Sequence, residues 1–386
     1  MKLMLFLGSG VSLPTLGVGV KQLTDSILYD QWFRHTDGAY YSGRSPALHQ
    51  VDPVPLLQGL LFILKAHADN YNAIRGLGES NYEDLFYLAR QVADDGMDNM
   101  RNPAILGFVK QIEGELQQFA AQNGLQLKAP LHEVAEEACT LVQSVVRARL
   151  STTTTPVGLD LVSELAKSAQ ITSLDIVTLN HDLLVEAVLA HNGVAYSEGF
   201  GNPDGDVRYF EPATFNSGQK VRLFKLHGSI NWFRFREQGG SVFSDRYGIQ
   251  VGGDAFRCRN ARGELLANLD ITPHFLTGAF NKIVAYAYGP IAEMHWWFHK
   301  LLNEHDKIAM SGYGWNDKGI NIRLIEWLHL SAQKRVCIMH EKPESLKQSN
   351  SPLWHRYDEL VTESRIVAIR KWMQNTTLAE LMAAIQ

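Results

Sequence analysis

The chain has 386 residues, 45% hydrophobic and 20% charged, which is the composition of an ordinary globular protein with one large domain or two modest ones. A formal net charge of −5 gives no electrostatic argument for nucleic-acid or membrane binding, and no run approaches the roughly 20 apolar residues of a spanning helix. The cysteines Cys139, Cys258 and Cys337 stand far apart with no C-x-x-C pair, which excludes a cysteine zinc module and argues against a disulfide framework.

In chain order, residues 1–7 form a short apolar run stopped by glycine, the pattern of a buried strand. The run is too short for a signal peptide, so a cytoplasmic protein with no membrane association is expected. A long interruption follows, about 29–169, whose second half reads mostly as helix. Its segments are 81–92 with Asn81 as a cap, then 104–122, 131–150 and 157–169, with 151–156 as a break. Cys139 lies in this module and Cys337 beyond it; both have apolar neighbours and read as buried thiols.

Further strand-like runs recur at 173–179, 221–226, 307–310, 335–339 and 365–369, with helical patterns at 182–191 and 318–330. Strands alternating with helices predict an α/β protein: a Rossmann-like parallel sheet with helices on both faces, plus an inserted helical module. The expected division is 1–28 and 170–386 for the sheet domain and 29–169 for the module. A glycine- and aromatic-rich insertion occupies 231–288, with a hairpin suggested at 232–236. Its arginines Arg234, Arg236, Arg257, Arg259 and Arg262, with interleaved aromatics, form a pattern that could touch nucleic acid. Given the acidic net charge, solvated strand residues are the stronger reading, so nucleic acid is expected only indirectly. Residues 293–299, which include His295 and His299, read as an aromatic packing helix and not as a metal-binding motif.

Chemistry-bearing residues gather where the apolar runs end. Gly8, Ser9 and Gly10 close the first run, with Ser12 as a phosphate donor or helix cap. The third glycine of a full dinucleotide fingerprint is absent, since Leu13 stands there, and the loop is not a Walker loop. Asn180 and Asp182 end the second run: an amide orients a water or a ribose hydroxyl, and a carboxylate hydrogen-bonds a carboxamide. His227, followed by Gly228 and Ser229, ends the third and suits general-base work at a ribose hydroxyl or on water. Gly312, Tyr313, Asp317 and Asn321 end the fourth. In an open α/β sheet, ligands bind at the carboxyl ends of strands, so these ends point to one nucleotide site.

Taken in order, these segments resemble the sirtuin family, and its bacterial sirtuin-like branch more than its histone-deacylase branch. The likeness rests on the glycine–small–glycine loop Gly8-Ser9-Gly10, the T-x-N-x-D segment at Thr178, Asn180 and Asp182, His227-Gly228, and Gly312-Tyr313 with Asp317 and Ile320-Asn321. The resemblance implies NAD as substrate, with the glycine loop on the diphosphate, Asn180 on the nicotinamide ribose or the attacking water, Asp182 on the carboxamide and His227 on the ribose hydroxyls. Two departures bear on the chemistry. The four-cysteine zinc module of deacylating sirtuins cannot be built, so no zinc is expected. After Leu16-Gly17 the chain reads Val18-Gly19-Val20-Lys21 in place of the acidic-aromatic-arginine segment that closes over nicotinamide.

The expected activity is therefore hydrolysis of NAD to nicotinamide and ADP-ribose. The branch is associated with antiphage defence by NAD depletion. The resemblance further implies homo-oligomerisation and a HerA-type ATPase as partner. A protein deacylase or ADP-ribosyltransferase and a non-catalytic nucleotide-binding scaffold are the alternatives.

Overall fold

A computed structural model describes residues 1–44, 52–96, 102–151, 154–252, 254–278, 286–349 and 351–385. The expected break at 151–156 falls partly outside the described residues, at 152–153, as does the insertion 231–288 at 253 and 279–285. The described residues form fourteen strands in chain order. These are β1 (Lys2–Leu7), β2 (Trp32–Arg34), β3 (Tyr40–Ser42), β4 (Ser173–Thr178), β5 (Tyr196–Ser197), β6 (Phe200–Asp204) and β7 (Val207–Phe210). There follow β8 (Val221–Lys225), β9 (Trp232–Glu237), β10 (Arg246–Gln250), β11 (Leu266–Asn268), β12 (Lys307–Ser311), β13 (Arg335–Met339) and β14 (Ile366–Ile369).

The chain divides into two compact units. The first, Met1–Gly17 with Ser151–Asp270 and Ile283–Gln386, holds a seven-stranded, all-parallel, Rossmann-like sheet in the order β14-β13-β12-β1-β4-β8-β5. Both faces of β1 are covered from Leu3 to Leu7, which is why those five residues are a continuous apolar run. Leu3, Leu5 and Leu7 join a core with Leu161 and Leu165 of the helix Asp160–Lys167, Val185 and Leu189 of the helix Leu184–His191, and Leu381 and Ile385 of the helix Leu378–Ile385. Phe6 points the other way, its ring centroid 5.9 Å from that of Phe298 on the helix Gly289–Glu304. Each such fully buried leucine or phenylalanine stabilises the fold by about 1.5–3 kcal/mol relative to exposure.

The order of the sheet locates its crevice. From β1 the chain builds outward through β4 and β8 on one side and through β12, β13 and β14 on the other. The reversal between β1 and β12 is the topological switch point, outside whose carboxyl edge ligands bind in this class of sheet. Register aligns the strand ends: Leu7 pairs with Thr178 and with Ser311, and Thr178 with Lys225. Residues just beyond these, Gly8, Asn180, His227 and Gly312, therefore leave the sheet along a single edge.

The same unit carries a five-stranded antiparallel sheet, β11-β9-β10-β7-β6. The hairpin expected at 232–236 is β9 with β10, Trp232 facing Ile249 and Phe235 facing Arg246. β6 and β7 precede β8, so this sheet draws on residues before 231 as well. Its arginines are occupied by carboxylates: Arg234 with Asp270, Arg236 with Asp245, Arg262 with Glu237 and Glu264.

The second unit, Val18–Leu150 with Ile271–Lys282, is mainly helical. The helices Val20–Tyr29, Val54–Arg75, Tyr82–Asp95, Leu106–Gln122 and Leu131–Leu150 bury Leu57, Leu60, Leu64, Leu85, Ala89, Ile112, Leu116, Leu141 and Val145. Asn81 caps Tyr82–Asp95, its side chain accepting the Glu83 amide at 2.8 Å. The helix Val54–Arg75 had no clear signal because its first half is apolar but for Gln58 and contains Gly59, so no polar face marks a helical period; Pro55 sits in its first turn, where a missing N–H costs nothing. Asp160–Lys167 falls in the sheet unit, where Leu161, Val162 and Leu165 find their apolar partners. Among the described residues, no helix is long and apolar enough to cross a membrane.

Candidate functional site

The loop after β1 is built by close approach. Gly8 N–H donates to Ser311 O and Gly10 N–H to Gly312 O, both at 3.0 Å, which ties the β1 and β12 loops together. A Cβ on Gly8 would stand 2.6 Å from Gly312 O and from Tyr313 Cα, and one on Gly10 would stand 2.8 Å from Gly312 Cα. Gly312 has φ +68, and a Cβ there would meet Val11 N at 2.6 Å. These glycines are thus required by backbone packing, and the amides of Gly8 and Gly10 are already engaged. Ser9 is exposed at the turn.

Behind this loop lies a buried polar relay. Ser12 Oγ donates to Asp182 Oδ2 at 2.6 Å. Asn180 Nδ2 donates to Ser12 Oγ at 2.9 Å and to Gly8 O at 3.1 Å. Since a peptide carbonyl can only accept, these contacts fix which end of the Asn180 amide faces the loop. Its other end, Oδ1, is buried, and no described residue donates to it. The expected helix 182–191 begins at Leu184, and Asp182, just before it, turns its side chain back so that Oδ1 accepts the Leu184 amide at 3.1 Å. The Asp182 carbonyl accepts from the ammonium of Lys225, which also pairs with Glu186 at 2.7 Å.

His227 stands beyond β8, buried, with Nε2 3.2 Å from Asp317 Oδ2. This is an ion-pair distance and not an aligned hydrogen bond. Gly228, at φ +76, turns the chain, and Ser229 Oγ donates to His181 O at 3.3 Å. Asp317 begins the helix Lys318–Leu330, Oδ1 accepting the Ile320 amide at 3.0 Å. Tyr313 OH lies 2.8 Å from Asn321 Oδ1 and 3.1 Å from Asp317 O, and burial pushes its phenol well above the usual range.

The sequence-predicted residues therefore assemble into three groups on one edge: Ser12 with Asn180 and Asp182, His227 with Asp317, and Tyr313 with Asn321. Two further residues join them. Tyr286 OH donates to Asp317 Oδ2 at 3.2 Å, and its ring lies 3.9 Å, centroid to centroid, from that of His295. Burial first, then the charges of His227 and Arg323, lower the His295 imidazole to about 3, so it stands neutral beside His227. The aromatic-rich run around Tyr286 was the available signal for the first; His295 carried none, since it does pack on a helix.

No three His, Cys, Asp or Glu side chains among the described residues come together as a metal site. All three thiols are buried, and burial pushes Cys139 and Cys337 up to about 12. Surface cavities of about 280 Å³ at Asp160, Glu164 and Gln374 and about 540 Å³ at Asp206, Asp254 and Arg257 border none of the strand-end residues, so cavity size does not choose the site. The class these observations define is an α/β protein with a Rossmann-like parallel sheet and a polar switch-point edge. No protein-family model and no curated protein matches the chain.

Proposed function

We propose that the protein is a sirtuin-like NAD hydrolase, cleaving the bond between nicotinamide and ribose. The observation that carries this reading is Asn180 Oδ1, a buried acceptor with no donor among the described residues, held at the switch point by an amide whose other end is fully engaged. Such an acceptor suits a ribose hydroxyl or a water, the two groups that must be oriented at the reacting carbon. His227, along the same edge, supplies a base.

In the reaction, a water oxygen bonds to the ribose anomeric carbon while the bond to the nicotinamide nitrogen breaks and its electron pair leaves with nicotinamide. The water's proton passes to His227 and then to solvent. One NAD⁺ and one water give nicotinamide, ADP-ribose and one proton. Positive charge develops on the ribose in the transition state, so a buried, preorganised polar edge is the main source of acceleration. In this reading Asp182, whose carboxylate is oriented by Ser12 and the Leu184 amide, contacts the carboxamide, and the exposed Ser9 turn contacts the diphosphate. Self-assembly, or a HerA-type ATPase, is the proposed gate, and NAD depletion in antiphage defence the proposed role.

The test is release of nicotinamide and ADP-ribose from NAD by the purified chain, alone and with such an ATPase. Asn180→Ala and His227→Ala are each expected to lower release on the order of 10²–10⁴-fold. Release unchanged in His227→Ala, or no NAD binding by calorimetry, overturns the reading. Label transfer from NAD to protein would favour the transferase instead.

A further inference from the structure

We propose that Asp317 is the positioning residue for His227, the two forming a carboxylate–imidazole dyad across the ends of β12 and β8. The reaction it serves rests on the hydrolase reading above; the pairing does not.

Three observations carry it. His227 and Asp317 side chains are 5% and 11% exposed, so an imidazolium formed at His227 stands 3.2 Å from the carboxylate with little screening. The carboxylate is held at both oxygens: Oδ1 by the Ile320 amide at 3.0 Å, and Oδ2 by Tyr286 OH at 3.2 Å, on the side that faces His227. The Tyr286 ring lies nearly parallel to the imidazole, 20° between planes with centroids 6.4 Å apart.

The loop that delivers Asp317 is also over-determined. Trp315 has φ +59, a conformation that a bulky residue adopts only when its surroundings enforce it. Those surroundings are explicit. The Trp315 carbonyl accepts from Asn321 Nδ2 at 2.7 Å, and its indole N–H donates to Met310 Sδ at 3.3 Å. Tyr313 OH braces the same Asn321. The backbone strain at Trp315 is kept one residue short of the carboxylate's own turn, as expected where a functional group must be aimed.

Four titratable groups face His227 from the surrounding elements. They are His181 beyond β4 (ring centroids 6.3 Å apart), Tyr286, His295 on Gly289–Glu304, and Asp317. Of these only Asp317 is a carboxylate. Its charge fixes the ring and stabilises the imidazolium that forms when His227 takes a proton.

Asp317→Asn separates this role from helix capping, because asparagine caps as well as aspartate but carries no charge. With the full chain, the variant is expected to melt within about 2 °C of wild type, since a preserved cap leaves stability nearly unchanged. Its kcat for nicotinamide release should fall on the order of tenfold to a hundredfold with KM little changed. The acid limb of its kcat profile should move to lower pH, and Asp317→Glu should recover part of the loss. Independently of NAD, the His227 imidazole, assigned in the NMR spectrum by its loss in His227→Gln, should titrate at lower pH in Asp317→Asn than in wild type. If that shift appears while wild type releases no nicotinamide under any gating condition, the hydrolase reading falls and the dyad stands. If His227 titrates identically in both proteins, the dyad is overturned whatever the activity.

Discussion

Ser12 and Asp182 meet across 170 residues of sequence, the hydroxyl donating to the carboxylate at 2.6 Å, and the same Ser12 oxygen accepts from Asn180 at 2.9 Å. One small side chain thus couples the β1 loop to the β4 turn. Ser12→Ala leaves Asp182 Oδ2 and one Asn180 proton without their buried partner, at a cost of about 1–3 kcal/mol. Urea unfolding of the variant at neutral pH measures it. A midpoint equal to that of wild type would show that the relay is not structural.

Gly8 and Gly312 test the packing of the two loops. In Gly8→Ala the added methyl collides with Gly312 O and Tyr313 Cα, which are backbone atoms and cannot rotate away. The expected loss is about 1–3 kcal/mol or more. Gly114, exposed within the helix Leu106–Gln122, provides the opposite case: nothing lies within 4 Å of its added Cβ. Gly114→Ala should gain about 0.5–1 kcal/mol through helix propensity and a less flexible unfolded chain. Thermal or urea midpoints moving in opposite directions are the expected result.

These two cases show what could be read in advance. β1, β4, β8, β12, β13 and β14 were visible as mostly apolar runs ending in glycine or polar residues, because strands covered on both faces are largely apolar; Asp175 in β4 and Arg222 in β8 are accommodated by pairing with each other. β5 was invisible: Tyr196–Ser197 is two residues long and owes its existence to pairing with Val221 and Arg222. The strand-end residues were legible as chemical types, and their convergence on one edge followed from parallel register. Their partners were not legible. Nothing local to Asp317 indicates that it reaches His227, ninety positions earlier, and the need for glycine at position 8 is set by the β12 loop.

Asp175 and Arg222 face one another on neighbouring strands, the guanidinium forking onto the carboxylate at 2.6 and 3.0 Å, with His305 Nε2 3.0 Å from it. Burial alone would raise the Asp175 carboxyl, but the bonds from His305 and Arg222 outweigh it and hold the group below its usual 3.8. Arg222→Met would leave a wholly buried carboxylate without its fork, a loss of about 3–5 kcal/mol. A carboxyl lowered by folding contributes stability that is present above its unfolded value and lost as pH falls through the folded one. The gap between wild type and Arg222→Met should therefore be widest near neutrality and narrow as the pH falls below about 4. Urea titrations at several pH values would check this; a gap that stays constant would exclude the ion pair as its cause.

His295 gives the opposite pH dependence to a histidine that gains a partner. Its ring rests on Tyr286, Nε2 lies 3.2 Å from Leu226 O, and Nδ1 is buried with no partner among the described residues. Burial, then His227 and Arg323, lower it from 6.5 to about 3, so the folded chain keeps this ring neutral where the unfolded chain protonates it. Between those two values the unfolded state binds the extra proton, and stability rises with pH; above 6.5 both states are neutral and the residue contributes no pH dependence. Acidification from pH 7 to pH 5 should thus cost up to roughly 2 kcal/mol at this position alone. His295→Phe keeps the ring against Tyr286 and gives up the contact to Leu226 O, a loss of about 0.5–1.5 kcal/mol that does not vary with pH. The variant should start slightly less stable than wild type at pH 7 and lose less on acidification, so that the two converge or cross by pH 5. Parallel loss in both proteins would mean that His295 is protonated in the folded state.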